Sequence, residues 1–273
     1  MTLTIGTGPF GRRPAGVFNA DLSAPEHLLF FEDSPRRVRA VFAGETVADS
    51  TRVKLLHETE HLPVYYFPRE DVRADLLERT AHATRCPAKG QASYWSIVAG
   101  GRRAENAVWA YEEPNASAGW LAGYCAFYWD AMDAWYEEDE EVFVHPRDPY
   151  HRVDIRPSSR HVRVSRGGVL LADSTRPVLL FETGLPVRYY LPEADVRAEL
   201  LTPSDSATRC PYKGIAAYRS VRAGGETRPD LVWTYPDPIR EAEPVRGLLC
   251  FYNERVDLEV DGEPLERPKT RFS

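Results

Sequence analysis

The stretch Thr84-Arg85-Cys86-Pro87-Ala88-Lys89-Gly90 returns as Thr208-Arg209-Cys210-Pro211-Tyr212-Lys213-Gly214, a displacement of 124 residues. The same displacement carries Asp49-Ser50-Thr51-Arg52 onto Asp173-Ser174-Thr175-Arg176, Asp71-Val72-Arg73 onto Asp195-Val196-Arg197, Val108-Trp109 onto Val232-Trp233 and Phe127-Tyr128 onto Phe251-Tyr252. A chain of 273 residues built as one module written twice is expected to form two domains of ordinary size, each burying its own core. The expected divisions are an N-terminal arm over 1–35, a first repeat over 36–136, a strap over 137–159, a second repeat over 160–262 and a tail over 263–273. The arm, rich in Gly, Pro and Phe, has no evident counterpart before the second copy, and is expected to lie extended on a domain surface.

Local patterns point to β structure in both copies. Val38 to Phe42 and Glu45 to Asp49 flank Ala43-Gly44 as a tight hairpin, repeated by Val162 to Ser165 and Val169 to Asp173 around Gly167-Gly168. Further strands are expected at Val53 to Glu58, Val64 to Phe67, Ala92 to Val98, Ala107 to Tyr111 and Leu121 to Tyr128, with partners in the second copy. A proline then acids at Pro68 and at Pro192, followed by Leu76-Leu77 and Leu200-Leu201, read as the start of one short helix per copy. The expected class is mainly β, two tandem small antiparallel domains with one short helix each.

Charge and composition exclude several functions. A net charge of −7 and a pI near 5.6, with no basic stripe, argue against a nucleic-acid partner. No apolar run approaches a membrane span and the N-terminus does not read as a secretory signal, so no membrane partner and a cytoplasmic location are expected. Cys86 and Cys210 lie in matching turns, while Cys125 and Cys250 sit in apolar runs, a distribution that suits reduced thiols. The run Glu137-Glu138-Asp139-Glu140-Glu141 reads as a solvated linker. His145, Asp148, His151 and Asp154 beyond it have metal-ligating side chains, but Pro146 and Pro149 break the helix that would aim them together; a structured strap is the simpler reading. No metal and no cofactor are expected. The sequence leaves the oligomeric state open; a monomer is compatible with it, because the two repeats can serve each other as an internal pseudo-dimer.

Only four of the 34 basic residues are lysine, namely Lys54, Lys89, Lys213 and Lys269, and two of these hold the same place in the two copies. An ammonium can lose its proton when buried and a guanidinium cannot, which singles out Lys89 and Lys213. Common descent of the copies explains the same fact without chemistry.

The ordered succession of hairpin, Asp49 to Arg52, Tyr65 to Pro68, Asp71 to Arg73, Cys86 to Gly90, Tyr94 to Ser96, Ala107 to Trp109 and Phe127-Tyr128 resembles the family catalogued as domain of unknown function 427, in a double-module form. The resemblance implies the β-tent, or Mss4-like, architecture of two antiparallel sheets, shared with methionine sulfoxide reductase B and the thalidomide-binding domain of cereblon. Several of those relatives carry zinc on paired Cys-x-x-Cys turns; here each turn has one Cys, with Lys where a second ligand would stand. A family label suggesting nucleotidyl transfer finds no Gly-rich phosphate loop and no paired-carboxylate metal motif in this chain.

Three functional readings follow. In the enzymatic one, Cys86 and Cys210 are thiolates favoured by Lys89 and Lys213, with His82 as a base in the first copy alone, since Ser206 holds that place in the second. Arg52, Arg85, Tyr94 and Trp109, with Arg176, Arg209, Tyr218 and Trp233, would line the pocket for an unidentified small molecule. In the structural reading, Cys is a small buried hydrophobe, Gly90 and Gly214 supply a positive-φ turn, and the Lys caps carbonyls or pairs with Asp49 or Asp173, leaving a non-catalytic or protein-interaction scaffold. In the third, the chain binds a flat ligand without chemistry. The first copy's Trp95, Trp120, Trp129 and Trp135, replaced by Arg219, Pro244, Asn253 and Glu259 in the second, suggest that the copies have diverged.

Overall fold

The computed structural model describes residues 3–19, 27–223, 225–270 and 272–273. The chain divides into two compact units, Met1–Asp148 and Pro149–Ser273. In the first unit the strands are β1 (Leu29–Asp33), β2 (Val38–Phe42), β3 (Glu45–Ser50), β4 (Lys54–Glu58), β5 (Val64–Pro68), β6 (Leu77–Cys86), β7 (Gly90–Ala99), β8 (Arg102–Ala110), β9 (Tyr124–Phe127), β10 (Ala134–Glu137) and β11 (Glu140–Val142). They form a seven-stranded sheet in the order β1-β4-β5-β9-β8-β7-β6 and a four-stranded sheet in the order β11-β10-β2-β3. Every ladder is antiparallel.

The second unit repeats this plan with β12 (Val153–Pro157), β13 (Val162–Arg166), β14 (Val169–Ser174), β15 (Val178–Glu182), β16 (Arg188–Leu191), β17 (Leu201–Cys210), β18 (Gly214–Ala223), β19 (Glu226–Thr234), β20 (Leu249–Phe251), β21 (Asp257–Val260) and β22 (Glu263–Leu265). Its sheets run β12-β15-β16-β20-β19-β18-β17 and β14-β13-β21-β22. The hairpins around Ala43-Gly44 and Gly167-Gly168 form where expected, with all four residues at positive φ as a two-residue turn between twisted strands requires.

Each long sheet is apolar on both faces. Along β5, Tyr65 and Phe67 enter the main core with Val38, Val47, Trp95, Phe127 and Trp135, while the intervening Tyr66 joins a second cluster with Leu56, Tyr94 and Tyr111. A 3-10 segment, Ala116–Leu121, packs Ala118 and Leu121 into that second cluster; Arg240–Val245 does the same in the second unit with Ala242 and Val245.

Three expectations change at this level. The arm and the strap are not wholly outside the repeats: β1 and β12 are edge strands of the two long sheets, paired with β4 and β15. The acidic run is solvated over Glu138 to Glu141, as expected, but it is a hairpin and not a linker. Glu138 turns the chain at φ 52°, and Glu137 is buried, its carboxylate accepting the Tyr65 hydroxyl and lying 2.9 Å from Arg36. The proline-led segments are pairs of 3-10 turns, Arg69–Asp71 with Ala74–Leu76 and Glu193–Asp195 with Ala198–Leu200. Val72 and Val196 interrupt them by pairing with Ala48 and Ala172, and Leu77 and Leu201 then open ten-residue strands. The start of the arm is pinned through Thr4, whose buried hydroxyl donates to the Glu58 carbonyl at 3.1 Å.

Candidate functional site

The Cys-Pro-x-Lys-Gly turn joins β6 to β7, and β17 to β18. Gly90 has φ 107°, and a Cβ there would stand 3.1 Å from the Asn115 nitrogen; Gly214 has φ 100° with Ile239 nitrogen at 3.2 Å. Glycine is demanded by both the dihedral and the close approach. That neighbour clamps the turn. Asn115 N–H donates to the Lys89 carbonyl at 3.0 Å and its side-chain amide to the Pro87 carbonyl at 2.8 Å, while Ile239 N–H donates to the Lys213 carbonyl at 3.1 Å.

The lysines leave the turn inward, to partners that lay outside the sequence-based candidates. Lys89 is ion-paired with Glu58 at the end of β4, and the other Glu58 oxygen lies 2.7 Å from His27 Nε2. Lys213 is 2.6 Å from Glu182, which is 3.0 Å from His151 Nε2. His27, Glu58 and Lys89 map onto His151, Glu182 and Lys213 by the 124-residue displacement, so the trio belongs to the repeated module. In the second unit it is sealed, because Tyr212, standing where the first copy has Ala88, stacks on His151 at 4.0 Å. Burial works to raise the Glu182 pKa, but the His151 hydrogen bond and the Lys213 charge outweigh it and hold it at about 2. Glu58 is lowered in the same way, burial being overcome chiefly by Lys89.

Asp49 and Asp173 are not the lysine partners: Asp49 holds Arg37, and Asp173 lies 2.6 Å from His161. Arg52 pairs with Glu70 and Asp71, and Arg176 with Asp195, fastening the β3–β4 and β14–β15 corners to the 3-10 turns. Arg85 and Arg209 alternate with Thr84, Cys86, Thr208 and Cys210 along their strands and so point to the opposite face. The strap residues separate: Asp148 lies 3.8 Å from His57, Asp154 pairs with Arg152, His145 contacts the Pro146 carbonyl, and His151 joins Glu182. Among the described residues no group of three or more His, Cys, Asp or Glu is arranged to hold a metal ion.

What the fold does bring together lies on the outer face of each long sheet. Thr84 and Tyr94 share a hydroxyl hydrogen bond of 2.8 Å, as do Thr208 and Tyr218. Trp109 packs on Tyr128 with ring centroids 4.6 Å apart, and Trp233 on Tyr252 at 4.6 Å. Each indole N–H donates to the tyrosine behind it, Trp109 to Tyr66 at 3.3 Å and Trp233 to Tyr190 at 3.0 Å. Burial, then the Tyr94 hydroxyl, push Tyr128 up to about 12, although 49% of Tyr128 remains exposed. His82 sits on the Tyr94 ring at 4.4 Å. Cys86 and Cys210 are half-buried, whereas Cys125 and Cys250 are buried; burial pushes the Cys125 thiol up to about 12 and that of Cys250 further still.

The tryptophans peculiar to the first copy divide by role. Trp95 and Trp135 belong to the core between the sheets, Trp129 stacks on Trp135 at 4.7 Å, and Trp120 stacks on Phe31 at the rim. None of them joins the Tyr94–Trp109 face.

The molecule is therefore a tandem pair of small antiparallel β modules, each carrying one copy of the same turn, trio and aromatic face. Family comparison agrees: the model of the family described as domain of unknown function (DUF427) matches residues 30–138 and again 154–262, and the chain belongs to that family as a double-module member. No curated protein matches the chain. Among the described residues no helix is long and apolar enough to cross a membrane.

Proposed function

We propose that the chain is a small-molecule-binding protein whose ligand seats on the outer face of the first repeat's long sheet, against Trp109 and Tyr128, with its polar edge toward Thr84 and Tyr94. The observation that carries this reading is the run of three hydroxyls, Thr84, Tyr94 and Tyr128, beside a half-buried indole. An apolar flat wall with hydroxyls at its rim suits a flat ligand with hydrogen-bonding groups. Lys89 has a positioning role here: engaged by Glu58, it anchors the turn that ends β6. Cys86, at the end of the strand that carries Thr84, is the nucleophile available if the bound molecule is also transformed. Four free thiols suit a cytoplasmic setting.

The competing reading is a scaffold, favoured by the buried Lys89–Glu58 and Lys213–Glu182 pairs, which account for both lysines without a ligand. A thermal-shift screen of flat metabolites separates the two. A true ligand at a hundredfold excess over its Kd adds about 2.7 kcal/mol to apparent stability. Its effect should be lost in Trp109→Leu and reduced in Tyr94→Phe. A hit whose effect survives both substitutions would place the ligand elsewhere; a library without hits would favour the scaffold.

A further inference from the structure

The segments that follow the two repeats part company. Beyond β11 the first leads Asp148 to His57, whereas beyond β22 the second leads Phe272, its counterpart under the 124-residue displacement, onto the aromatic face of its own unit. The Phe272 ring lies 5.9 Å from Tyr252, and the Arg188 guanidinium stands between two rings, 5.8 Å from Phe272 and 5.5 Å from Trp233. Arg188 is almost wholly buried and held by two 2.8 Å hydrogen bonds to Glu254. The Glu254 carboxylate also accepts the Thr270 hydroxyl at 2.6 Å, and Arg255 donates to the Phe272 carbonyl at 2.9 Å while lying over Tyr252 at 5.0 Å. Backbone, hydroxyl and ring of the segment are thus each received by a different side chain.

Nothing equivalent is encoded in the first repeat, where Val64 replaces Arg188 and Asp130 replaces Glu254. Arg188 and Glu254 form a desolvated pair that the core of the fold does not require, since the first repeat folds the same way without it. A cation between two aromatic faces gains attraction from both.

From this the geometry points to a second binding site, particular to the second repeat and formed by Arg188, Trp233, Tyr252, Glu254 and Arg255. It receives an aromatic side chain carried on a short peptide segment with a hydroxyl two residues before it. The chain's own Thr270 and Phe272 occupy it. The site is closed in cis and opens to an aromatic peptide in trans only when that segment withdraws. This inference is independent of the ligand proposed for the first repeat.

Hydroxyl-radical footprinting read by mass spectrometry tests it on the 273-residue chain. Tyr252 should be protected and Tyr128 oxidised in the wild type, and Phe272→Ala should raise Tyr252 oxidation several-fold without changing Tyr128. A synthetic peptide of residues 268–273, added at millimolar concentration to Phe272→Ala, should restore the protection, and the same peptide with alanine for its phenylalanine should not. Unchanged Tyr252 oxidation in Phe272→Ala would overturn the inference. So would failure of the trans peptide, because the segment would then be a cover without a site. Because Arg188→Met risks unfolding the unit, Thr270→Val serves as the second variant and should raise Tyr252 oxidation less than Phe272→Ala.

Discussion

Lys213 and Glu182 meet at 2.6 Å with 9% and 7% of their side chains exposed, and His151 closes the carboxylate's other side. Removing one member of such a pair leaves an uncompensated buried charge. Lys213→Met should therefore cost about 3–5 kcal/mol in urea unfolding. The double variant Lys213→Met with Glu182→Leu should recover part of that loss. Additive losses would mean that the two residues do not act as a pair.

Acid should weaken the second unit through the same carboxylate. Its folded pKa of about 2 lies below the ordinary value of 4.5, so the folded state releases its proton more readily than the unfolded chain. The contribution, roughly 3 kcal/mol, is whole above about pH 5 and is lost as pH falls from 4.5 through 2. Stability measured against pH for Glu182→Gln should be lower near neutrality and flatter across that window.

The four thiols should separate by burial. Iodoacetamide at neutral pH should label Cys86 in the native protein, and Cys125, whose thiol burial pushes up to about 12, only after unfolding. Lys89→Met should lower the melting temperature more than it changes the Cys86 rate. A slowed rate with unchanged melting would make Lys89 a thiolate partner, and the positioning role given to it here would fall.

Gly90→Ala should destabilise by about 1–3 kcal/mol, since it places a Cβ at φ 107° and 3.1 Å from a backbone nitrogen. Gly119→Ala is the control, having ordinary φ and nothing within 4 Å of the new Cβ. Equal effects in differential scanning calorimetry would show that the turn tolerates the side chain.

The repeat, the hairpins and the β class were legible because they rest on local signals, turn glycines and alternation, doubled by the displacement. The trio was less legible. Its lysine stood out by rarity, yet its carboxylate and imidazole lie 31 and 62 residues earlier, on a strand end and before the edge strand. The displacement does relate His27 to His151 and Glu58 to Glu182, but those histidines fell in segments read as arm and strap. The strand β6 was hidden because its exposed stretch, Arg79 to Arg85, has no large apolar side chain to reveal it, only Ala81 and Ala83. The segment around Phe272 has no repeat partner of like chemistry, so the displacement could not find it.

The edge strands β1 and β12 also extend the repeated unit to before residues 36 and 160. Each lies just after the histidine of its trio and pairs with the strand that ends in the glutamate. A fragment begun at residue 36 or 160, where the obvious similarity starts, would leave the Lys–Glu pair without its imidazole and bare the backbone of β4 or β15 to self-association. An isolated repeat intended to fold alone must therefore keep His27 or His151 together with its edge strand.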